Sequence, residues 1–260
     1  VGGAGYLVVM FHASNPIEEG VFMTHHSVEH RLDKSVQIWR YMSVEKFALL
    51  MFRKELWFTR ADLLGDEHEG SLPDSVIDER QQRIKDPRVK AIIKRGSEAS
   101  VKDAFVSCWS MQAPEALSMW KIYTPNAKGF AVKTTIDRLA NCFVSKPNDL
   151  FDCYNARIEK VTYIDFLSHQ TDADTFDRFI HKQQAYCYEK EIRATISSMP
   201  TVEEPRIGIG LDVDLNILVD TVYVSHRPGD GLEQLAEDLL REAGITKNIA
   251  VPPFVRNPKY

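Results

Sequence analysis

A chain of 260 residues, 44% of them hydrophobic, carries enough apolar side chain to bury a large core as one domain. Its formal net charge of −5 excludes a global positive field that would gather nucleic acid by releasing counterions. Four cysteines, Cys108, Cys142, Cys153 and Cys187, are widely spaced and form no C-x-x-C pair, which argues against a zinc ribbon and a disulfide framework; reduced thiols in the cytoplasm are expected.

Residues 1–35 read as an N-terminal extension: an apolar start too short to span a bilayer, a turn at Ser14-Asn-Pro16 and a His-rich stretch over 24–34. A single domain is expected over 36–260. It opens with a strand over 36–41 that carries Arg40 among aromatics. Ser43 is placed to cap a helix whose Phe47, Leu50 and Met51 fall at i, i+3 and i+4, ending near Lys54. A second aromatic strand over 56–59 leads to an acidic turn, Asp66-Glu-His-Glu-Gly70. One or two charged helices are expected over 74–96, ending at Gly96, and the mixed charges over 78–102 read as a solvated helix face.

A buried-type strand is expected over 104–110, a helical stretch over 115–123, and a strand over 129–135 that forms a hairpin with the first across a long connection. Further strands are expected over 156–163 and 192–197, with a helix over 171–187 between them. Beyond a Pro-bounded loop come strands over 208–214 and 218–225, then a helix over 231–243 stopped by Gly244. The class is α+β, with helices inserted between strands rather than alternating with them.

Dense mixing of aromatics with Arg, Ser, Thr, Asp and Glu over 36–70 exceeds what a core needs, because a buried charge without a partner costs several kcal/mol. The stretch therefore reads as one wall of a site. In Glu189-Lys-Glu191, period-two geometry would place both carboxylates on one face of an extended segment. Trp120 and Tyr123 at i, i+3 share a helical face, as core or as an aromatic wall. Gly208-Ile-Gly210 lacks the third glycine and following helix of a dinucleotide fingerprint.

Several blocks occur together in order: Trp39-Arg-Tyr-Met-Ser43, Leu56-Trp-Phe-Thr-Arg-Ala-Asp62, Asp66-Glu-His-Glu-Gly70, Ser107-Cys-Trp-Ser110, Met119-Trp-Lys-Ile-Tyr123, Lys128-Gly-Phe-Ala-Val132 and Tyr188-Glu-Lys-Glu-Ile-Arg193. Over roughly 36–255 the chain resembles the bacterial family called domain of unknown function 2971. Gln112-Ala-Pro114 departs from the polar Asn- or His-containing turn of that family, and 1–35 lie outside the resemblance. The family name brings no activity of its own, but its blocks look like an ADP-ribosyltransferase arrangement, with Arg on a first strand, Phe-Thr on a second and a glutamate on a late strand.

That resemblance implies a strand-rich ADP-ribosyltransferase-like core and an NAD-consuming enzyme, set in bacteria as a toxin or antiphage defence effector that modifies a protein or nucleic acid. Arg40 would anchor NAD phosphate or ribose, and Phe58, Thr59 and Tyr123 would line the cofactor. Glu191 would stabilise the oxocarbenium-like ribosyl cation, with Glu189 orienting the acceptor.

Two other readings fit the same residues. One is a non-catalytic ligand-binding or interaction module. The other is metal-dependent hydrolysis or nuclease action through Asp66, Glu69 and Glu191. His26-Ser-Val-Glu-His30 also satisfies H-x-x-E-H, although it has little apolar backing for a zinc helix. The expectation is that no metal is needed and that no membrane is involved.

Overall fold

The computed structural model describes residues 32–66, 68, 70–113, 116–124, 126, 128–144, 155–168, 177–197, 206–225 and 231–252. The H-x-x-E-H segment, Glu67, Glu69 and Cys153 lie outside them. Just before the first strand, Leu32 packs on the core and the Lys34 carbonyl accepts the Asp137 N–H, so residues 32–35 are already tied to the domain.

Strand β1 (Gln37–Met42) is followed by helix α1 (Val44–Arg53), where the Ser43 side chain accepts the Lys46 N–H. Lys54 adopts a left-handed conformation and closes the helix with a bond to Leu50. Phe47, Leu50 and Met51 form its buried stripe. Strand β2 (Glu55–Arg60) runs back antiparallel to the central strand β3 (Ala104–Ser110), after helices α2 (Asp74–Arg83) and α3 (Pro87–Lys102). Gly96 does not end α3. A glycine in a helix interior costs only about 1 kcal/mol, and Lys102 completes the last turn.

Helix α4 (Leu117–Tyr123) precedes β4 (Phe130–Thr135), which leads directly into α5 (Ile136–Asn141), capped by the Thr135 side chain. Then come β5 (Asn155–Lys160), β6 (Thr162–Ile164), β7 (His181–Gln183), a 3-10 segment (Gln184–Glu189) and β8 (Glu191–Ser197). The chain closes with β9 (Gly208–Asp212), α6 (Leu215–Leu218), β10 (Thr221–Val224), α7 (Leu232–Glu242) and β11 (Asn248–Ala250).

Nine strands form one mostly antiparallel, branched sheet in the order β11-β10-β4-β1-β3-β2-β9, with β8 on the other edge of β3 and β5 beyond it. The fold is α+β. The expected hairpin between the third and fourth strands is not formed: β1 lies between them and pairs with both. The expected helix over 171–187 is overturned across 177–187, where a turn, β7 and the 3-10 segment stand. Asp177 explains the start of this, because its carboxylate accepts the Phe179 N–H and nucleates a turn that competes with helix. Farther on, Lys182 meets Glu189 and Glu191 in a buried ion cluster.

One face of the sheet carries the main core, built with α1, α5, α6 and α7 around Phe47, Phe58, Phe130, Trp109 and Leu139. Burying a side chain of this size contributes about 1.5–3 kcal/mol. The opposite face carries a smaller aromatic cluster in which Trp39, Tyr41 and Ala131 meet Met119 and Trp120 of α4. The Tyr41 and Trp120 rings stand edge to face at 5.1 Å. Among the described residues no helix is long and apolar enough to cross a membrane.

Candidate functional site

The branch in the sheet creates the site. Both β1 and β2 run along the same edge of β3, but β1 meets it only at Trp39↔Ser110 and β2 only at Thr59↔Val106 and Arg60↔Phe105. Ser107, Cys108 and Trp109 therefore face an opening between the two strands, and α1 bridges it from above. A cleft of about 550 Å³ occupies this opening. Such a volume suits a small-molecule or cofactor ligand.

Alternation along the strands assigns the walls. By period two, Arg40 belongs with Ile38 and Met42 to the face covered by α1, whereas Glu191, Arg193 and Thr195 of β8 lie on the face opposite Ile192, Ala194 and Ile196 of the main core. The opening joins the two faces, so Arg40, Thr59, Tyr123 and Glu191 all line one cleft. Phe58 does not. It is fully buried in the main core, since strand geometry turns it away from the face that Trp57 and Thr59 share.

Arg40 lies half-buried across the opening. It donates to Ser107 Oγ at 2.6 Å and to the Trp57 carbonyl at 2.9 Å, and its guanidinium sits 5.8 Å from the Trp109 ring centroid. The stacking partner is thus Trp109 from β3 rather than the sequence neighbours Trp39 and Tyr41. No carboxylate pairs with Arg40 among the described residues. Burial lowers its pKa to about 10, opposed by the nearby Cys108, and it stays protonated at neutral pH. Lys46 and Arg53 of α1 line the same wall.

Gly208 and Gly210 shape the wall beside Trp57 and Glu55. A Cβ at Gly208 would lie 2.4 Å from the Trp57 ring, and one at Gly210 would lie 2.6 Å from a Glu55 carboxylate oxygen. The two glycines let the Trp57 and Glu55 side chains pack against β9.

The acidic wall is a buried cluster of four charges. Glu189 ends the 3-10 segment, Lys190 takes a left-handed conformation, and Glu191 opens β8. The segment is bent, so the extended geometry expected for E-x-E is not present. Both carboxylates nevertheless reach one ammonium group: Lys182 Nζ donates to Glu189 Oε2 at 2.8 Å and to Glu191 Oε2 at 3.2 Å. Arg193 Nε donates to Glu191 Oε1 at 2.8 Å, its Nη2 reaches Oε2 at 3.3 Å, and its Nη1 binds the Phe179 carbonyl.

Burial raises the Glu191 pKa, but Arg193 and Lys182, with hydrogen bonds from Arg193 and Cys108, outweigh it and hold the carboxyl below the usual range. Tyr123 leaves 39% of its surface exposed. Burial of its hydroxyl, followed by the charges of Glu189, Cys108 and Glu191 and a hydrogen bond to Glu189, pushes its pKa well up, so it stays a neutral phenol.

Beyond Tyr41, Cys108, Tyr123 and Glu191 lies a second chamber of about 40 Å³, lined also by Trp39, Trp109 and Glu189. Glu191 lies on the wall between the two spaces. Lys182 and Arg193 hold the site's acid together, but the sequence marks them only as ordinary basic residues. The one available signal is the charge-rich Glu189-Lys-Glu-Ile-Arg193 run on an otherwise apolar strand.

The described carboxylates at the acidic turn make local contacts. Asp62 pairs with Arg60 Nε at 2.6 Å, and Asp66 Oδ1 accepts the His68 N–H at 3.0 Å. Among the described residues no three His, Cys, Asp or Glu side chains gather as metal ligands. Glu191 is already occupied by two cations, which opposes a divalent ion there. Cys142 is buried, donates to the Leu139 carbonyl at 3.2 Å, and has its thiol pKa raised by burial.

Compared with known protein families, with curated proteins and with solved structures, the chain matches none.

Proposed function

We propose that the cleft binds NAD and that the protein is an ADP-ribosyltransferase-like enzyme acting on a macromolecule. One observation carries this reading: Arg40, a cation with no carboxylate partner among the described residues, and Glu191 line one cleft through a split in the sheet, with Glu189 beside Glu191 at the adjoining chamber. A dinucleotide needs both. Its pyrophosphate is met by Arg40, with Lys46 and Arg53 of α1 adding positive charge along the same wall.

Thr59 and Glu191 then flank the ribose, and Tyr123 lies beside the nicotinamide. Cleavage of the nicotinamide–ribose bond builds positive charge on the ribose, and the ionised Glu191, fixed by Arg193, stabilises it without reorganising. Glu189, at the chamber, orients the acceptor. The test is incubation of the protein with labelled NAD and a cell extract. Transfer of label to a macromolecule, or release of nicotinamide, supports the reading; inert NAD across varied acceptors sinks it.

A second reading is favoured by the ion pairing itself. Two cations offset the Glu191 charge, which weakens the field it can apply to a reacting ribose. A non-catalytic module that binds a phosphate-bearing ligand in the same cleft keeps every role of the basic wall and asks none of the acidic one. Saturable NAD binding without turnover identifies it.

A further inference from the structure

We propose that Lys182 is a positioning residue for the Glu189–Glu191 pair: its ammonium group, carried in on β7 from outside the main sheet, holds the two carboxylates side by side at the wall shared by the cleft and the chamber. Three observations converge on it. Lys182 is 8% exposed, yet it lines the cleft, so its long stem is packed and its head group is fixed at the site. It reaches both carboxylates at 2.8 and 3.2 Å. And its shorter contact is the one to Glu189, while Arg193 contacts both oxygens of Glu191 and the Phe179 carbonyl.

The backbone explains why a link is needed. The left-handed turn at Lys190 brings two carboxylates within reach of one Nζ, and two carboxylates sharing a site repel unless a cation lies between them. Strand β7 is pinned for the task. It pairs with β6 in a separate two-stranded sheet, the Thr162 N–H bonds the Ile180 carbonyl, the Val161 N–H bonds the Glu191 carbonyl, and the Glu191 N–H donates to Tyr163 Oη. The Tyr186 ring centroid sits 4.7 Å from Nζ and adds a cation–π contact. The groups that face the pair are Cys108 from β3, Tyr123 from α4, Tyr163 from β6, Tyr186 and Tyr188 from the 3-10 segment, and Arg193 from β8.

The consequence for turnover rests on the transferase reading; the placement of the carboxylates does not. The test is therefore a carbon-detected NMR titration of the glutamate side chains in the full chain. In Lys182→Met, which keeps much of the stem and removes the charge, the Glu191 carboxyl takes up its proton about one pH unit or more above its wild-type midpoint, and Lys182→Arg draws it back. An unshifted titration in folded Lys182→Met overturns the proposal.

If Lys182→Met does not fold, Glu189→Gln decides: it leaves the Lys182–Glu191 contact in place and shifts the Lys182 Nζ resonance, whereas an unmoved resonance refutes shared positioning. When NAD is consumed, the acid limb of the rate–pH profile moves upward in Lys182→Met with the NMR midpoint, and a limb that stays fixed while the midpoint moves also refutes it. Wild-type protein that leaves NAD intact removes the transferase reading, while the titration still decides the role of Lys182.

Discussion

On the wall of the cleft built by β1, α1 and β2, Arg40 is charged, half-buried and bonded to neutral groups, with Lys46, Arg53 and the single carboxylate Glu55 on the same wall; on the wall built by β7 and β8, Lys182 and Arg193 meet Glu189 and Glu191 in equal number. The difference separates what the fold needs from what a ligand needs. A self-neutralised cluster keeps its shape in an empty site, since each buried charge already has its counter-charge. An unmatched guanidinium is held by weaker contacts and gains most when an anion arrives. Substitutions on the two walls should therefore fail in different ways.

The largest effect is expected on turnover. Under the transferase reading, Glu191→Gln lowers NAD consumption by roughly two to four orders of magnitude, the range for loss of one electrostatic transition-state contact. Single-turnover kinetics checks this, and an unchanged rate returns Glu191 to a structural role. The same change costs stability too, because Lys182 and Arg193 lose the counter-charge they share.

Arg193→Met and Arg40→Met sharpen the contrast next. Removing Arg193 leaves buried acid without its bidentate partner and should destabilise the fold by about 3–5 kcal/mol in urea unfolding. Removing Arg40 takes a poorly compensated cation out of a partly dry site, while Ser107 keeps the Trp109 indole N–H as a donor at 3.2 Å. Its cost should stay within about 1 kcal/mol. Equal losses in the two variants would erase the distinction between the walls.

A smaller effect follows from acid. Glu191 holds its proton less tightly when folded than in the unfolded chain, whose reference value is 4.5. Below that value the unfolded state binds a proton that the native state refuses, so this contribution is complete above about 4.5 and is lost as pH falls through the lower folded pKa. Urea midpoints taken at steps from about pH 6 to about pH 3 should fall toward acid. Their rise on acidification would contradict a carboxylate stabilised by Arg193 and Lys182.

Legibility in the sequence followed locality. The β1–α1–β2 unit could be read from the Ser43 cap, the Phe47, Leu50, Met51 stripe and the aromatic strands, because neighbours in sequence determine those features. Gly244 likewise marked the end of α7 by its left-handed conformation. The segment 177–189 was illegible for the opposite reason. Phe179 and Ile180 continue a helical spacing, but the Asp177 turn and the pull on Lys182 of carboxylates seven and nine residues farther on decide its shape. Phe58 shows a third limit: its residue type suits either a core or a cofactor wall, and only its register with Thr59 on β2 separates them. Arg40 could be singled out from the sequence, but its contact with Ser107 across the opening depends on β1 and β2 sharing one edge of β3, and no local pattern encodes that pairing.

The central claim is that the basic wall takes the phosphates of NAD, and calorimetric titration of NAD into wild-type and Arg40→Met protein, at low and at high salt, tests it most directly. Saturable binding is expected in the wild type, weakening with salt. Arg40→Met should bind about tenfold or more weakly, as loss of a charge-assisted contact entails, at nearly unchanged thermal stability. Wild-type protein that does not bind NAD, or Arg40→Met that binds it as tightly as wild type, would contradict the account.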